Sequence, residues 1–269
     1  MPARPKPATP DRRALRGEPV NPLVAGATEL LERGNSASAL VNRIGREIVG
    51  GVFAAGQPLP TEAAMRERYG ISRTALREAY SKLTAKGLIQ ARPRVGTSVR
   101  GREHWNMLDP DVLNWHLQTV PAEEIAAELY AVRRMVEPAA AELAARVHDP
   151  EDLDRIDRAF AEMQRNATEE AALVEADFAF HVAILRATHN GFISAFSAMI
   201  RAAMLATFEL SWRGAEVIKD RRLQQHGDVA RAIRAGDGAA ARAGMEALLD
   251  ESIEDVRGAL RRRAPSPAR

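Results

Sequence analysis

Three polar residues stand where the surrounding pattern asks for apolar ones: Asp177 and His181 in ADFAFH, and His226 in QQH. On a helical wheel of about 100° per residue, Leu173, Val174, Phe180, Ile184 and Leu185 share one face, with Asp177 and His181 in its middle. On a second helix Leu223, Val229, Ala230 and Ile233 surround His226. The i, i+4 spacing lets Asp177 and His181 converge on a common point. One carboxylate and two imidazoles form a donor set for a divalent metal, Zn²⁺ first among them, with water or a ligand oxygen completing the shell. The same residues admit a plainer reading, an Asp–His hydrogen bond and a separate core histidine. In either case burial without partners costs several kcal/mol, so something must satisfy them.

Arg133, in ELYAVRRMVEPAAAELAA, lies at the edge of an apolar face while Arg134 points away from it. A permanently charged, forked guanidinium beside a core cavity suits a carboxylate, and a salt bridge to Glu137 is the alternative use of the same group. Asn190, just after the Asp177/His181 helix, is a candidate for polar ligand contact. His104, His116, His148 and His189 show no converging pattern and read as surface or boundary residues.

A different chemistry sits in LPTEAAMRERYGISRTALREAYSKLTAKGLIQARPRVGTSVR, residues 59–100. Thr61 and Ser72 are N-caps for two short helices, Gly70 and Gly87 close them, and Leu88–Ala91 and Thr97–Arg100 read as strands around a turn with Pro93 and Gly96. In such a helix-turn-helix the second helix enters the major groove by its N-terminal end. Ser72, Arg73, Thr74 and Arg77 occupy that end, and the wing offers Arg92, Arg94, Gly96 and Thr97. An isolated Arg-x-x-x-Arg is usually a solvated face; inside this frame it faces guanine edges or phosphates.

The elements that must position these groups fall into two domains. The chain of 269 residues is long for one domain. Residues 36–102 hold 12 Lys/Arg against 4 Glu, whereas residues 106–260 hold 16 Lys/Arg against 27 Asp/Glu. A basic module followed by an acidic one marks the first as the partner of a polyanion. The expected fold is mainly α: an N-terminal winged helix-turn-helix domain over 36–102 and a C-terminal all-α bundle of about six to seven helices over 122–260. A linker and short helix at 103–121 join them. The helical pattern runs over about 38–50, 109–118, 122–147, 150–166, 170–188, 192–211, 218–235 and 238–260. Residues 1–35 and 261–269, rich in Arg and Pro, read as a disordered basic arm and tail.

The sequence has no cysteine, which excludes disulfides and thiolate chemistry. It shows nothing like a signal peptide and no apolar run near the roughly 18 residues of a membrane span, so a cytoplasmic protein is expected.

The helix-turn-helix stretch with its RxRxGT wing resembles the GntR superfamily of bacterial transcription regulators, and the helical domain resembles the FCD-type domain of its FadR subfamily. The likeness covers about Ser38 to Val256. It implies a homodimer on a short palindromic operator, with Arg73 and Arg77 contacting DNA and Gly96 at the wing tip. It also implies a bundle-centred metal held by Asp177, His181 and His226, on which a carboxylate effector sits, and effector contact by Arg133. The usual third histidine falls near Leu248. Where some members carry a second-helix Arg for base contact, this chain has Ala63, so their operator sequence does not transfer. WNMLDPDVLNW, VRRMVEPA and FELSWRGAE resemble sugar-acid-responsive members, which implies a repressor released by an acid such as D-galactonate. Two other readings are a FadR-type sensor of acyl thioesters and a metal-dependent hydrolase. No general base or nucleophile accompanies the metal trio in the latter.

Overall fold

The structure, a computed structural model, describes residues 37–92, 96–211 and 216–263. The expected arm 1–35, Arg94 and tail residues 264–269 lie outside the described residues. The expected tail is shorter than the sequence pattern suggested, since residues 261–263 continue the last helix.

The N-terminal domain begins with α1 (Ala37–Val49), whose Leu40, Val41, Ile44 and Ile48 are buried. Helix α2 (Glu62–Tyr69) is capped by Thr61, whose hydroxyl accepts from Ala64 N. It ends at Gly70, where φ is 64°, a left-handed conformation that a residue without Cβ adopts freely. The chain then turns directly into α3 (Arg73–Ala85), capped by the Ser72 hydroxyl accepting from Ala75 N. Met65, Tyr69, Leu76, Ala79 and Leu83 join the α1 residues in one core. Strands β1 (Ile89–Arg92) and β2 (Gly96–Val99) pair antiparallel with Ile89 opposite Val99, close to the expected wing. A third edge, without a signal in the sequence pattern, completes the wing: the stretch before α2 runs along β2, with Leu59 N donating to Thr97 O and Val99 N to Gln57 O.

Helix α4 (Pro110–Thr119) falls where the sequence pattern over 109–118 places a short helix, and it is packed into both domains. It is buried on two sides. Val112 and Trp115 belong to the N-terminal core, while Leu113 and Leu117 pack with Ile125, Leu129, Met199, Ala202 and Ala203 of the C-terminal domain. The Trp115 indole lies so close to α1 that a Cβ on Gly45 would sit 2.5 Å from three of its ring carbons. Its Nε1 donates to Asn42 Oδ1. Lys86, at the end of α3, pairs with Asp109 and Asp111 at the start of α4 at 2.7 and 2.8 Å. His116, read as a boundary residue, is buried on this helix, against Trp105, because α4 has no solvent face there.

The bundle comprises α5 (Ala122–Val147), α6 (Pro150–Arg165), α7 (Glu170–Arg186), a single turn α8 (Gly191–Ser194), α9 (Ser197–Ser211), α10 (Glu216–Arg234) and α11 (Gly238–Arg263). The helix expected over 192–211 is broken in two. The core is built from Ala, Leu, Ile, Val and Met with Phe180 as its one large aromatic among the described core residues. No helix among the described residues is long and apolar enough to cross a membrane.

The Gly45–Trp115 contact gives a direct test. A methyl there collides with a ring fixed in the core, and overpacking of this kind costs about 1–3 kcal/mol. Urea unfolding of Gly45→Ala should show a loss in that range; unchanged stability would mean that α4 is not seated on α1 as described.

Candidate metal and ligand centre, and candidate DNA-reading face

The polar centre is assembled from three helices. Helix α5 contributes Arg133 and Glu137 one turn apart, α7 contributes Asp177 and His181, and α10 contributes His226; all five side chains are buried. Asp177 Oδ1 lies 3.0 Å from His226 Nε2 and 3.4 Å from His181 Nε2. One ligand atom of each of these three residues lies within 4.8 Å of those of the other two.

The far side of each imidazole fixes what the near side can do. His226 Nδ1 is 2.7 Å from the Arg222 carbonyl oxygen, which can only accept, so Nδ1 carries the proton. Nε2 of a neutral His226 is then a lone pair, pointed at a carboxylate oxygen 3.0 Å away. Two acceptors at that distance must share a cation, either a proton or a metal ion. His181 differs in detail: its Nδ1 lies 2.5 Å from Glu137 Oε2 as an ion-pair contact outside hydrogen-bond angles, and its Nε2 faces Asp177 Oδ1 and Arg133 Nη2, each at 3.4 Å. Imidazoles tied through one nitrogen to a carbonyl or carboxylate, with the other converging on a carboxylate, are what a divalent metal site requires. The donor set fits a metal.

The electrostatics agree. Burial raises the Glu137 carboxyl, but Arg133 and His181 outweigh it and hold it at about 2 against an ordinary 4.5. Burial raises Asp177 too, yet its bonds to His181 and His226 hold it well below the ordinary carboxylate range. Burial lowers His181, and Glu137 and Asp177 more than reverse this, so its pKa is raised. The centre is a trap for positive charge.

Around it lies a cavity of about 10 Å³ lined by Tyr130, Arg133, Asp177, His181, Met204, Thr207, Arg222, His226, Leu248, Leu249 and Ser252. That is room for one water or one ion. Leu248, near which the family likeness puts a third histidine, forms part of its apolar wall. Arg133 lines the cavity, and its Nε donates to Glu137 Oε1 at 2.5 Å, the alternative use of the guanidinium read from the sequence. Asn190 is not brought here. Its side chain accepts from Phe192 N and Ile193 N as the cap of α8, on an exposed loop. Sequence reasoning missed Tyr130, Thr207, Arg222 and Ser252. Of these, Arg222 alone left a signal, a charged residue one turn before His226; it is buried and donates to Asp255 Oδ2.

On the other domain, Ser72, Arg73, Thr74, Arg77, Arg92 and Gly96 are exposed, and Thr97 is half-buried. Arg73 Nε lies 3.3 Å from Glu62 Oε2, across the turn between α2 and α3. A cationic helix N-terminus beside an exposed two-stranded wing, joined through a buried helix to a bundle with a polar cavity, defines a DNA-binding regulator with a ligand-binding domain.

Comparison with known proteins gives the family. The profile for bacterial regulatory proteins of the gntR family matches residues 36–99, and that for the FCD domain matches residues 128–251. The galactonate operon transcriptional repressor of Escherichia coli (strain K12) is 37% identical over 207 residues, 77% of this chain and 90% of that protein. The HTH-type transcriptional regulator LutR of Bacillus subtilis (strain 168) is 30% identical over 213 residues, 78% of this chain and 95% of that protein. Among solved structures, Lar, which controls the Listeria monocytogenes agr system, shares the fold at TM-score 0.59 and 18% identity, over 82% of this chain and 96% of that one. The chain belongs to the GntR family, in its FadR-type subfamily with an FCD domain. It is a DNA-binding transcription regulator and not an enzyme.

The buried carboxylates set an acid limit. The pKa of Glu137 is depressed in the folded state, so its contribution is complete above about 4.5 and is lost as pH falls toward 2. Between these values the stability of chelator-treated protein should fall more steeply with decreasing pH than that of Glu137→Gln, by up to one proton. Parallel curves in urea unfolding would contradict the assignment.

Proposed function

We propose that the protein is a homodimeric repressor that leaves a palindromic operator when its C-terminal bundle binds a small sugar acid, with D-galactonate the first candidate. The observation that carries this reading is the convergence of Asp177, His181 and His226 beside Arg133 in a small polar cavity. Asp177 Oδ1, His181 Nε2 and His226 Nε2 would hold a divalent metal, Zn²⁺ best suiting two nitrogens and one oxygen. Such an ion supplies a Lewis-acid centre for a carboxylate or hydroxyl oxygen. With Leu248 offering no donor, the protein leaves coordination positions open to a ligand.

Arg133 is the proposed partner of the acid's carboxylate, and its bond to Glu137 and its place in the cavity lining support that role. Thr207 and Ser252 supply hydroxyls for a polyol chain. These walls favour a small hydroxylated anion over the acyl chain of a thioester, which needs a long apolar tunnel. The similarity to a galactonate operon repressor points the same way.

Release follows from space. A cavity of about 10 Å³ cannot hold a six-carbon acid, since ligand pockets run to roughly 300 Å³ and more. Binding must therefore part the helices around it. Helix α9 presents Met204 and Thr207 to the cavity and Met199, Ala202 and Ala203 to α4. Helix α4 is in turn keyed into α1 by Trp115 and tied to α3 by Lys86. A shift of α9 thus turns the winged helix as a body, and two recognition helices that no longer match the half-site spacing release the DNA. Ser72, Arg73, Thr74 and Arg77 are the proposed contacts on α3, with Arg92, Arg94, Gly96 and Thr97 on the wing. Arg73 exchanges Glu62 for DNA.

A mobility-shift assay on the promoter beside the gene, titrated with aldonates and uronates, should show release at or below millimolar acid; a panel in which none releases DNA defeats the sugar-acid reading. In the same assay Asp177→Ala should bind operator but ignore the acid, and a fully responsive variant would return the trio to a purely structural role. Arg73→Ala should lose about 1–3 kcal/mol of specific operator affinity with its dimer intact, and wild-type affinity would remove Arg73 from the contact set.

A further inference from the structure

Glu137 is tied to both halves of the centre, and neither the donor trio nor Arg133 works as described without it. Its Oε1 accepts from Arg133 Nε at 2.5 Å and its Oε2 lies 2.5 Å from His181 Nδ1. The residue is 1% exposed, so water does not replace either partner. On the other side of the ring, His181 Nε2 is 3.4 Å from Asp177 Oδ1 and 3.4 Å from Arg133 Nη2. One carboxylate thus sits between the imidazole aimed at the cation position and the guanidinium aimed at the cavity.

We propose that Glu137 couples metal binding to anion binding: it fixes the His181 tautomer that turns Nε2 toward Asp177, and it neutralises Arg133 until a carboxylate arrives. The inference rests on the metal and sugar-acid reading above. A cation at His181 Nε2 makes the Nδ1 proton a stronger donor, which draws Glu137 toward His181 and loosens its hold on Arg133. The guanidinium can then offer its fork to an incoming carboxylate. In the reverse direction, an acid on Arg133 frees Glu137 to bond His181, which makes the imidazole more basic and a better ligand. By linkage the two effects are equal in size.

The test measures zinc affinity of the full-length protein by competition with a chromogenic chelator, with and without D-galactonate. In the wild type the acid should tighten zinc binding at least fivefold. In Glu137→Gln, which keeps the volume and loses the charge, zinc should bind roughly 10–100-fold more weakly, and the acid should no longer change it. Imidazole nitrogen shifts of zinc-loaded wild type test the tautomer without any variant: zinc on His181 Nε2 with the proton on Nδ1 supports the assignment, and zinc on Nδ1 overturns it. Zinc affinity in Glu137→Gln equal to wild type overturns the role of Glu137 alone. D-galactonate that binds by calorimetry without changing zinc affinity overturns the coupling. A wild type that takes up no zinc overturns the metal reading and this inference with it, whereas one that binds zinc but no D-galactonate overturns the sugar-acid reading and leaves the variant's zinc affinity to decide the role of Glu137.

Discussion

The structure turns on one requirement: positive and negative charge buried in an otherwise apolar bundle must be neutralised group by group. Arg133, Glu137, His181, Asp177 and His226 form a continuous chain from α5 through α7 to α10. Each member alone would cost several kcal/mol to bury. Together they set Nε2 of His226 3.0 Å from Oδ1 of Asp177, a separation that a shared proton or a metal ion bridges. An arrangement that must recruit positive charge is unstable as a mere packing device and well suited to a site whose state depends on what it binds. The chain also fixes the rotation of three helices about their axes, which Ala-rich surfaces alone specify poorly.

The same bundle is packed onto the DNA-binding domain through one shared helix. Helix α4 has no free face where it matters: Trp115 is locked against Gly45 and Asn42 on one side, and Leu113 and Leu117 are buried against α5 and α9 on the other. Lys86 binds the start of α4 to the end of the recognition helix. Close-packed interfaces of this kind transmit displacement rather than absorb it. The cavity wall and the recognition helix are thus separated by only two packed interfaces, α9 on α4 and α4 on the winged helix.

Much of this was legible in the sequence because local rules and global fold agree there. Thr61, Ser72 and Gly70 punctuate the helix-turn-helix with caps that the structure uses as such. Asp177, His181 and His226 announced themselves by violating an apolar period, and their convergence followed from the i, i+4 spacing and from burial. The misses share a cause. His116 and the burial of α4 depend on contacts between elements far apart in sequence, which periodicity within one helix cannot reveal. Asn190 was placed near the site by chain proximity, whereas its short polar side chain was already committed to capping the next turn. Thr207 and Ser252 are ordinary residues that become part of a cavity only when α9 and α11 meet α10.

In the proposed function, a metal held by two histidines and one aspartate completes the buried chain of charges. X-ray absorption at the metal edge of purified full-length protein examines this most directly. About one metal per chain is expected, with two imidazole nitrogens and carboxylate oxygen at roughly 2.0–2.2 Å. Protein that retains no metal after incubation with zinc, or a bound metal whose shell contains no imidazole, would contradict it.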